Sequence, residues 1–215
     1  MLNLHLPRKS RYSVLCLGAH SDDIEIGCGG TVLRLLKEYR NVEVTWIVFG
    51  SNPQRAMEAS RSAQQFLRRA RKRAVIVKDF RDGFFPQAGG AIKETFEDLK
   101  QRVSPDLIFT HYRYDLHQDH RQICDLTWNT FRNHLILEYE FPKFDGDLGT
   151  PNFFVPLDER ICRTKVDLLL RHFATQRNKH WFDRETFYAI MRLRGVESGG
   201  TARYAEAFYS RKVIL

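Results

Sequence analysis

Short apolar runs alternate with amphipathic stretches over the first two thirds of the 215-residue chain. Apolar residues at helical spacing predict helices near residues 28–40, 54–72 and 91–103. Apolar and β-branched runs predict strands at residues 12–18, 42–50, 74–80 and 106–111. Such alternation of strands and helices favours an α/β fold with a mostly parallel sheet that is covered by helices on both faces.

The pattern changes after residue 133. The runs "LILEYEFP" and "NFFVPL" predict two further strands, and "DERICRTKVDLLLRHFATQ" predicts an amphipathic helix with Asp158 as its N-cap. A Gly-rich turn then precedes a mixed apolar segment. Because no linker or repeat is visible, we expect one domain over residues 1–215, with a core of about residues 12–133 and a C-terminal extension of about residues 134–215.

The composition indicates in which cellular compartment the protein is expected. No run approaches the roughly 20 apolar residues that cross a bilayer, and the first residues show no secretory signal pattern. The four cysteines are widely separated and form no C-x-x-C pair, so we expect reduced thiols. These features predict a soluble, cytoplasmic protein without a membrane span.

The formal net charge of +8 favours an anionic substrate or a polyanionic partner. The densest basic cluster, "RRARKR" at residues 68–73, continues an amphipathic helical pattern. We therefore assign Arg61, Arg68, Arg69 and Lys72 to the solvated face of this helix. No nucleic-acid-binding motif accompanies them, so no nucleic-acid partner is expected; a steep, salt-dependent affinity for DNA or RNA would indicate one.

Two polar clusters follow predicted strands. "GAHSDDIEIGCGG" (residues 18–30) follows the first strand, and "HYRYDLHQDHR" (residues 111–121) follows the strand at 106–111. The carboxyl ends of parallel strands share one edge of a sheet, so we expect the two clusters to meet there. The glycines of the first cluster match neither dinucleotide-binding nor P-loop spacing, and we expect them to let a helix approach the sheet closely.

The ionisable residues of both clusters suit a divalent metal ion. His20, Asp22 and Asp23 on one short turn need a compensating cation or a hydrogen-bond network, because unpaired buried carboxylates are costly. The second cluster adds His117, Asp119 and His120. Two histidines and a carboxylate are a common catalytic ligand set. Taken singly, a "DD" pair is usually a turn or a helix cap and an H-x-x-H is often surface, but their joint placement favours a site.

These residues resemble a known family. "GAHSDDIEIGCGGT" is similar to the A-H-P-D-D-E signature of the LmbE-like (PIG-L type) N-deacetylases, and "DLHQDHR" resembles their H-P-D-H motif. The segments "RAMEA", "RDG", "FATQ" and "YAEAF" resemble further parts of the family, so the resemblance covers most of the chain. Ser21 and Gln118 stand where the motifs have proline, and Ile24 stands where many relatives have glutamate. All ligand-type side chains are retained.

The resemblance implies a Rossmann-like three-layer fold and a zinc-dependent hydrolase that removes an N-acetyl group from an N-acetylglucosamine-type sugar or conjugate. It implies Asp-assisted attack of a metal-bound water and assembly into trimers or hexamers. It assigns His20, Asp23 and His120 to the metal, Asp22 to the general base, and His117 to the oxyanion or the leaving amine. Asp119 would orient a histidine, and the substrate would contact Arg55 and Asp82.

Several alternatives stay open from the residues alone. The ligand set also suits Fe(II). Arg55 is equally suited to a salt bridge at a helix start and Asp82 to a plain turn. His111, Asp115 and Glu25 lie close to the motifs without an assigned role. The alternative functions are a non-catalytic sugar- or nucleotide-binding protein of the same fold and a basic, nucleic-acid-associated protein.

Overall fold

The computed structural model describes residues 5–214. Its strands are β1 (Tyr12–Gly18), β2 (Val42–Gly50), β3 (Lys72–Phe80), β4 (Leu107–His111), β5 (Leu135–Tyr139), β6 (Phe153–Leu157) and β7 (Tyr204–Ser210). Its α-helices are α1 (Asp23–Glu38), α2 (Pro53–Phe66), α3 (Gly89–Arg102), α4 (Gln118–Thr130), α5 (Glu159–His172) and α6 (Arg184–Glu197).

All these strands form one sheet in the order β3-β2-β1-β4-β5-β7-β6. The first five are parallel, and β7 runs antiparallel to both β5 and β6. The predicted α/β fold with a mostly parallel, Rossmann-like sheet is therefore confirmed. Residues after 133 extend the same sheet, and the division into a core and an extension at that point stays a prediction.

Side chains that alternate along the strands supply two separate cores. On β1, Val14 and Cys16 pack with residues of α1 and α2 on one face of the sheet. Leu15 and Leu17 pack with residues of α3 and α4 on the opposite face. A third cluster joins α5 and α6 to the end of the sheet that holds β6 and β7. The central strands are buried on both faces, which explains their nearly continuous apolar runs.

Two helix predictions differ from the structure at their ends. The helix expected near residues 28–40 begins at Asp23, so the acidic part of the first cluster lies in its first turn. Carboxylates are favoured there by the partial positive charge of a helix N-terminus. The helix expected over 54–72 ends at Phe66.

The prediction that Lys72 belongs to a solvated helix face is wrong, and so is that for Arg68 and Arg69. Lys72 is the first residue of β3 and pairs with Glu43 of β2. Arg68 and Arg69 lie in the turn before it. Pairing with β2 replaces the helical pattern at this point, and all three side chains remain exposed.

Close packing explains the glycines of α1, as predicted. A Cβ atom on Gly27 would overlap the ring of Tyr139, and one on Gly29 would lie 2.7 Å from the ring of Phe66. Because these contacts involve large rings in a dense core, the helix can lie this near the sheet only without side chains at these positions.

A buried ion pair reaches the backbone in the middle of α1. Glu206 of β7 accepts hydrogen bonds from the backbone N–H groups of Gly30 (2.8 Å) and Thr31 (2.6 Å). The ammonium of Lys165 donates to the carbonyl of Ile26 at 2.6 Å and to Glu206. The last strand is thus bonded to the helix that begins at the first polar cluster.

All four thiols are buried and none is in a disulfide. Across residues 5–214, no helix combines the length and the apolar character that a bilayer crossing requires.

Candidate active site

The two polar clusters meet at the carboxyl ends of β1 and β4, as predicted. These neighbouring strands lie where the strand order reverses, which is where open α/β sheets form their sites. The chain leaves β1 at Gly18 and enters α1 at Asp23, while it leaves β4 at His111 and enters α4 at Gln118. The clusters therefore occupy two strand-to-helix turns side by side.

Three side chains place potential ligand atoms around one point. His20 Nδ1 lies 3.2 Å from His120 Nε2 and 3.4 Å from Asp23 Oδ2. His120 Nε2 lies 3.6 Å from the same Asp23 oxygen. Ligand atoms at about 2.1 Å from a tetrahedral ion lie about 3.4 Å apart, so this buried triangle has the size that such an ion requires. These three are the residues that the family resemblance assigns to the metal.

The charge balance around this triangle also suits a cation. Four buried aspartates surround it, and burial raises the pKa of a fifth buried carboxyl, that of Glu25, well above its usual value. The largely buried cations among them are Arg55 and Lys143. A divalent ion would balance the surplus, which is carried by Asp22, Asp23, Asp115 and Asp119.

The two histidines of the triangle have opposite pKa shifts. Burial, together with the charge of His111, lowers the pKa of His120 to about 4, which leaves its ring neutral as a metal ligand must be. Burial alone would lower the pKa of His20, but Asp23 and hydrogen bonds to carboxylates raise it well above its usual value. The carboxylates around His20 thus favour a positive charge at this ring, and a metal ion bound there would supply that charge in place of the proton.

Asp22 lies beside the triangle with one oxygen free. Its Oδ1 accepts a hydrogen bond of 2.6 Å from Arg55, whereas its buried Oδ2 has no hydrogen-bond partner within residues 5–214. Burial raises the pKa of Asp22, and the charge of Arg55 opposes this rise. Arg55 therefore forms the ion pair that the sequence left open as an alternative to substrate contact.

Asp119 and Asp82 both approach the outer nitrogen of His20. Nε2 of His20 lies 3.2 Å from Asp119 Oδ2 and 3.0 Å from Asp82 Oδ1. Asp119 is fully buried and also accepts hydrogen bonds from the backbone N–H groups of Gly83 (2.6 Å) and Phe85 (3.1 Å). The side chain of Asp82 is 61% exposed, and its hydrogen bond to His20 lowers its pKa to about 2.

His117 is the N-cap of α4, where its Nδ1 accepts a hydrogen bond of 3.2 Å from the N–H of Asp119. Its half-buried ring lies 4.9 Å from the ring of His20. Burial and the positive charge of His20 lower the pKa of His117. His117 lines the same cavity as Asp22, with its pKa shifted toward the neutral form.

Sequence reasoning left two contacts to the triangle without a role. Asp115 Oδ2 lies 2.8 Å from His120 Nδ1, and Asp115 is 3% exposed. His111 Nε2 lies 3.1 Å from Asp23 Oδ2, and its ring stacks on that of His120 at 3.9 Å. Their position in the second motif was a usable signal, since a carboxylate on the far nitrogen of a metal-ligating histidine is the usual arrangement.

A cavity of about 160 Å³ opens over these groups. Seven of the eight predicted site residues line it, and Asp119 lies behind them. Sequence reasoning missed the remaining lining residues, which are Phe141, Lys143, Phe144, Asp145, Lys179 and Trp181. A larger groove of about 410 Å³ lies beside α1 and β6 and contains none of the site residues.

The fold and the buried His–Asp–His triangle together define an α/β protein with a candidate metal-dependent site at the switch point of its sheet. Residues 15–131 match the model of the PIG-L family, described as GlcNAc-PI de-N-acetylase. The chain therefore belongs to the PIG-L family, as the motif resemblance predicts. The matched region contains both polar clusters.

Similar proteins fit this assignment. The chain is 26% identical over 171 residues to the uncharacterized deacetylase YaiS of Escherichia coli, covering 75% of this chain and 91% of that protein. N,N'-diacetylchitobiose deacetylase of Pyrococcus horikoshii superposes with a TM-score of 0.69 at 20% identity, over 94% of this chain and 84% of that one. The 4-carboxy-2-hydroxymuconate hydratase GalB of Pseudomonas putida superposes with a TM-score of 0.73 at 16% identity, over 95% of this chain and 98% of that one. At these identities the solved structures show a shared fold, and that fold also serves a hydratase.

Proposed function

We propose that the protein is a metal-dependent hydrolase that removes the N-acetyl group from an N-acetylglucosamine-type sugar or sugar conjugate. One observation carries the proposal: a triangle of His20, Asp23 and His120 ligand atoms lies next to Asp22, whose second oxygen has no partner in the described chain. Binding alone needs no free carboxylate beside a metal site. Membership in a family of de-N-acetylases supports the same reaction.

Asp22 is the general base of this proposal. A divalent ion held by His20, Asp23 and His120 would polarise the acetamide carbonyl and lower the pKa of a water molecule. The Oδ2 atom of Asp22 takes a proton from the attacking water, whose oxygen adds to the carbonyl carbon. Arg55 orients the carboxylate through Oδ1, and its positive charge favours the ionised form.

The remaining predicted residues complete the reaction. His117 donates a hydrogen bond to the developing oxyanion or, in its protonated form, a proton to the leaving nitrogen. When His117 is neutral, the leaving nitrogen receives the proton that Asp22 took from the water. The C–N bond then breaks, and acetate and a free amine are released. Asp119 orients His20 through Nε2, and Asp115 does the same for His120 through Nδ1. Asp82 is exposed at the cavity and is our choice for contact with substrate hydroxyls.

The proposal also covers the metal, the charge of the substrate, the oligomeric state and the location of the protein. We favour zinc as the ion, with Fe(II) as the alternative that the same ligands accept. The expectation of an anionic conjugate depends on the net charge of +8 alone, whereas the four aspartates that line the cavity favour a neutral one. A trimer or hexamer and a cytoplasmic location follow from the family resemblance and the composition.

Acetate release tests the function. Protein loaded with Zn²⁺ or, anaerobically, with Fe²⁺ is incubated with N-acetylglucosamine, N,N'-diacetylchitobiose and UDP-N-acetylglucosamine. Asp22→Asn is compared at equal measured metal content, with Asp98→Asn on the exposed face of α3 as the matched control. We expect turnover on at least one sugar, a loss of about 10²-fold or more in Asp22→Asn, and no change in Asp98→Asn.

Other outcomes would overturn the proposal. If fully loaded protein releases no acetate from any acetamide, the deacetylase function is wrong, and hydration or binding by the same fold becomes the better interpretation. If Asp22→Asn retains full turnover, the assignment of the base is wrong. If the anionic and neutral sugars respond equally to ionic strength, the expected anionic substrate is wrong.

A further inference from the structure

The rim of the active-site cavity carries an exposed aromatic side chain. Phe144, in the loop of residues 141–147 between β5 and β6, is 69% exposed although it lines the cavity that holds His20 and Asp22. Its ring lies 5.0 Å from the ring of His180 and 6.5 Å from that of Trp181, which also lines the cavity. Exposed apolar side chains at the edge of a polar cleft are typical of ligand-binding surfaces.

The loop that presents Phe144 is fixed on both sides of this residue. The ammonium of Lys143, whose side chain is 7% exposed, lies 3.1 Å from Asp115 Oδ1 and forms a salt bridge with Asp147. Asp147 also accepts a hydrogen bond of 2.7 Å from the N–H of Leu116. These buried contacts bind the loop to the turn before α4. The exposure of Phe144 is therefore set by the loop conformation.

The second aromatic side chain of the rim, Trp181, packs against two phenylalanine rings. The ring of Trp181 lies 5.5 Å from that of Phe141 and 5.8 Å from that of Phe182, both edge-on. Lys179 places its ammonium 5.3 Å from the same indole ring. Edge-on packing of this kind holds the indole in one orientation. Phe144 supplies the exposed apolar face, and Trp181, which is 9% exposed, borders it at the cavity with its ring nearly perpendicular. We call this pair the aromatic wall.

The size and charge of the cavity indicate what this wall contacts. A volume of about 160 Å³ is smaller than the roughly 300 Å³ at which pockets for drug-sized ligands begin, so a ligand larger than one sugar unit extends over the rim. The lining holds four aspartates and three cations, and two of these cations, Arg55 and Lys143, are already paired with aspartates. This lining favours a neutral extension over a phosphate.

We propose that the aromatic wall binds a second, uncharged pyranose ring, which makes Phe144 and Trp181 specificity-determining residues for glycosides of N-acetylglucosamine. The inference rests on the proposed deacetylase function. The acetamido ring occupies the cavity, and the apolar C–H face of the next ring packs against Phe144. Its hydroxyls reach Lys179 at the rim.

Binding without turnover tests the wall. In Asp22→Asn protein loaded with Zn²⁺, titration calorimetry gives the Kd of N-acetylglucosamine and of N,N'-diacetylchitobiose. We expect the disaccharide to bind about tenfold more tightly, and Phe144→Ala to bring the two constants within about twofold. Phe144→Tyr keeps the preference. Phe84→Ala is the matched control, because Phe84 is also exposed, at 40%, but packs under Arg81 and does not line the cavity.

The outcomes separate this inference from the proposed function. A disaccharide preference that survives in Phe144→Ala, equal affinities in the parent protein, or an equal loss in Phe84→Ala would overturn the wall. Tighter binding of UDP-N-acetylglucosamine than of the disaccharide would also overturn it. Acetate release is measured separately on protein with Asp22 intact, so absence of turnover there overturns the function while the ratio of the two Kd values still decides the wall.

Discussion

Asp115 is hydrogen-bonded to Nδ1 of His120 over 2.8 Å, and it holds the ring so that Nε2 points at His20 and Asp23. The other oxygen of this carboxylate accepts the N–H of His117 at 2.7 Å. One buried side chain thus connects a proposed metal ligand to the residue proposed for the oxyanion.

We predict that Asp115→Ala weakens divalent metal binding by about 10–100-fold, because His120 loses the partner that orients it. Competition with a chromogenic chelator for Co²⁺ or Zn²⁺ measures this directly, without substrate. Asp125→Ala, on the exposed side of α4, is the control and should keep the parent affinity. An unchanged metal affinity in Asp115→Ala would show that His120 is positioned by other contacts.

Arg55→Ala is expected to shift the acid limb of the pH–activity profile to higher pH. The positive charge of Arg55 lowers the pKa of Asp22 against the effect of burial, so its removal raises that pKa. A higher pKa leaves less carboxylate to accept a proton at a given pH. Initial rates of acetate release, measured from about pH 5 to about pH 9, test this, because a general base titrates within that range. Arg55→Lys should keep most of the parent profile, and an unshifted limb in Arg55→Ala refutes the coupling.

Gly27→Ala is expected to destabilise the protein by about 1–3 kcal/mol, because its methyl group would overlap the ring of Tyr139 in a dense core. Gly90→Ala in α3 is the matched control. A Cβ atom there meets nothing within 4 Å, so we expect a gain of up to about 1 kcal/mol from lower chain entropy. Urea unfolding of both variants gives the two free energies, and equal effects would contradict the packing argument.

Asp158→Ala should cost about 1 kcal/mol of stability at neutral pH, because the carboxylate caps α5 by accepting the N–H of Ile161 at 2.7 Å. The hydrogen bond to Lys37 lowers the pKa of Asp158. The stability contributed by its charge is therefore present above the unfolded pKa of about 3.9 and is lost as pH falls through the lower folded pKa. The difference between wild type and Asp158→Ala in thermal unfolding should shrink over this range, and Asp158→Asn should keep much of the cap.

The apolar runs predicted β1 to β6, including the partly exposed β3 and β6, whereas the segment of β7 was described only as mixed apolar. The runs at 12–18 and 42–50 match β1 and β2 because these strands are covered on both faces. The helix α4 was not predicted, since its first turn carries the polar residues of the site, and α6 was missed as well.

The site was predicted where neighbours in the chain are also neighbours in space. His20, Asp22 and Asp23 share one turn, and the second motif shares another, so motif and strand placement brought them together. Lys143, Phe144 and Trp181 come from segments whose approach depends on how the loops after β5 and α5 fold back. No local spacing encodes that approach, and this explains why the rim of the cavity was missed.

The place of β7 has a consequence for synthesis on the ribosome. This strand lies between β5 and β6 in the sheet, and within residues 5–214 it is the strand with which β6 pairs. It also brings Glu206 to the N–H groups of Gly30 and Thr31 in α1. While Tyr204 is still inside the ribosome, β6 cannot pair with β7. The helix α1 then lacks its hydrogen bonds to Glu206. The helix that carries Asp23 therefore gains its native surroundings only after β7 has emerged, and a chain stalled before that point displays both polar clusters without the strand that joins β5 to β6.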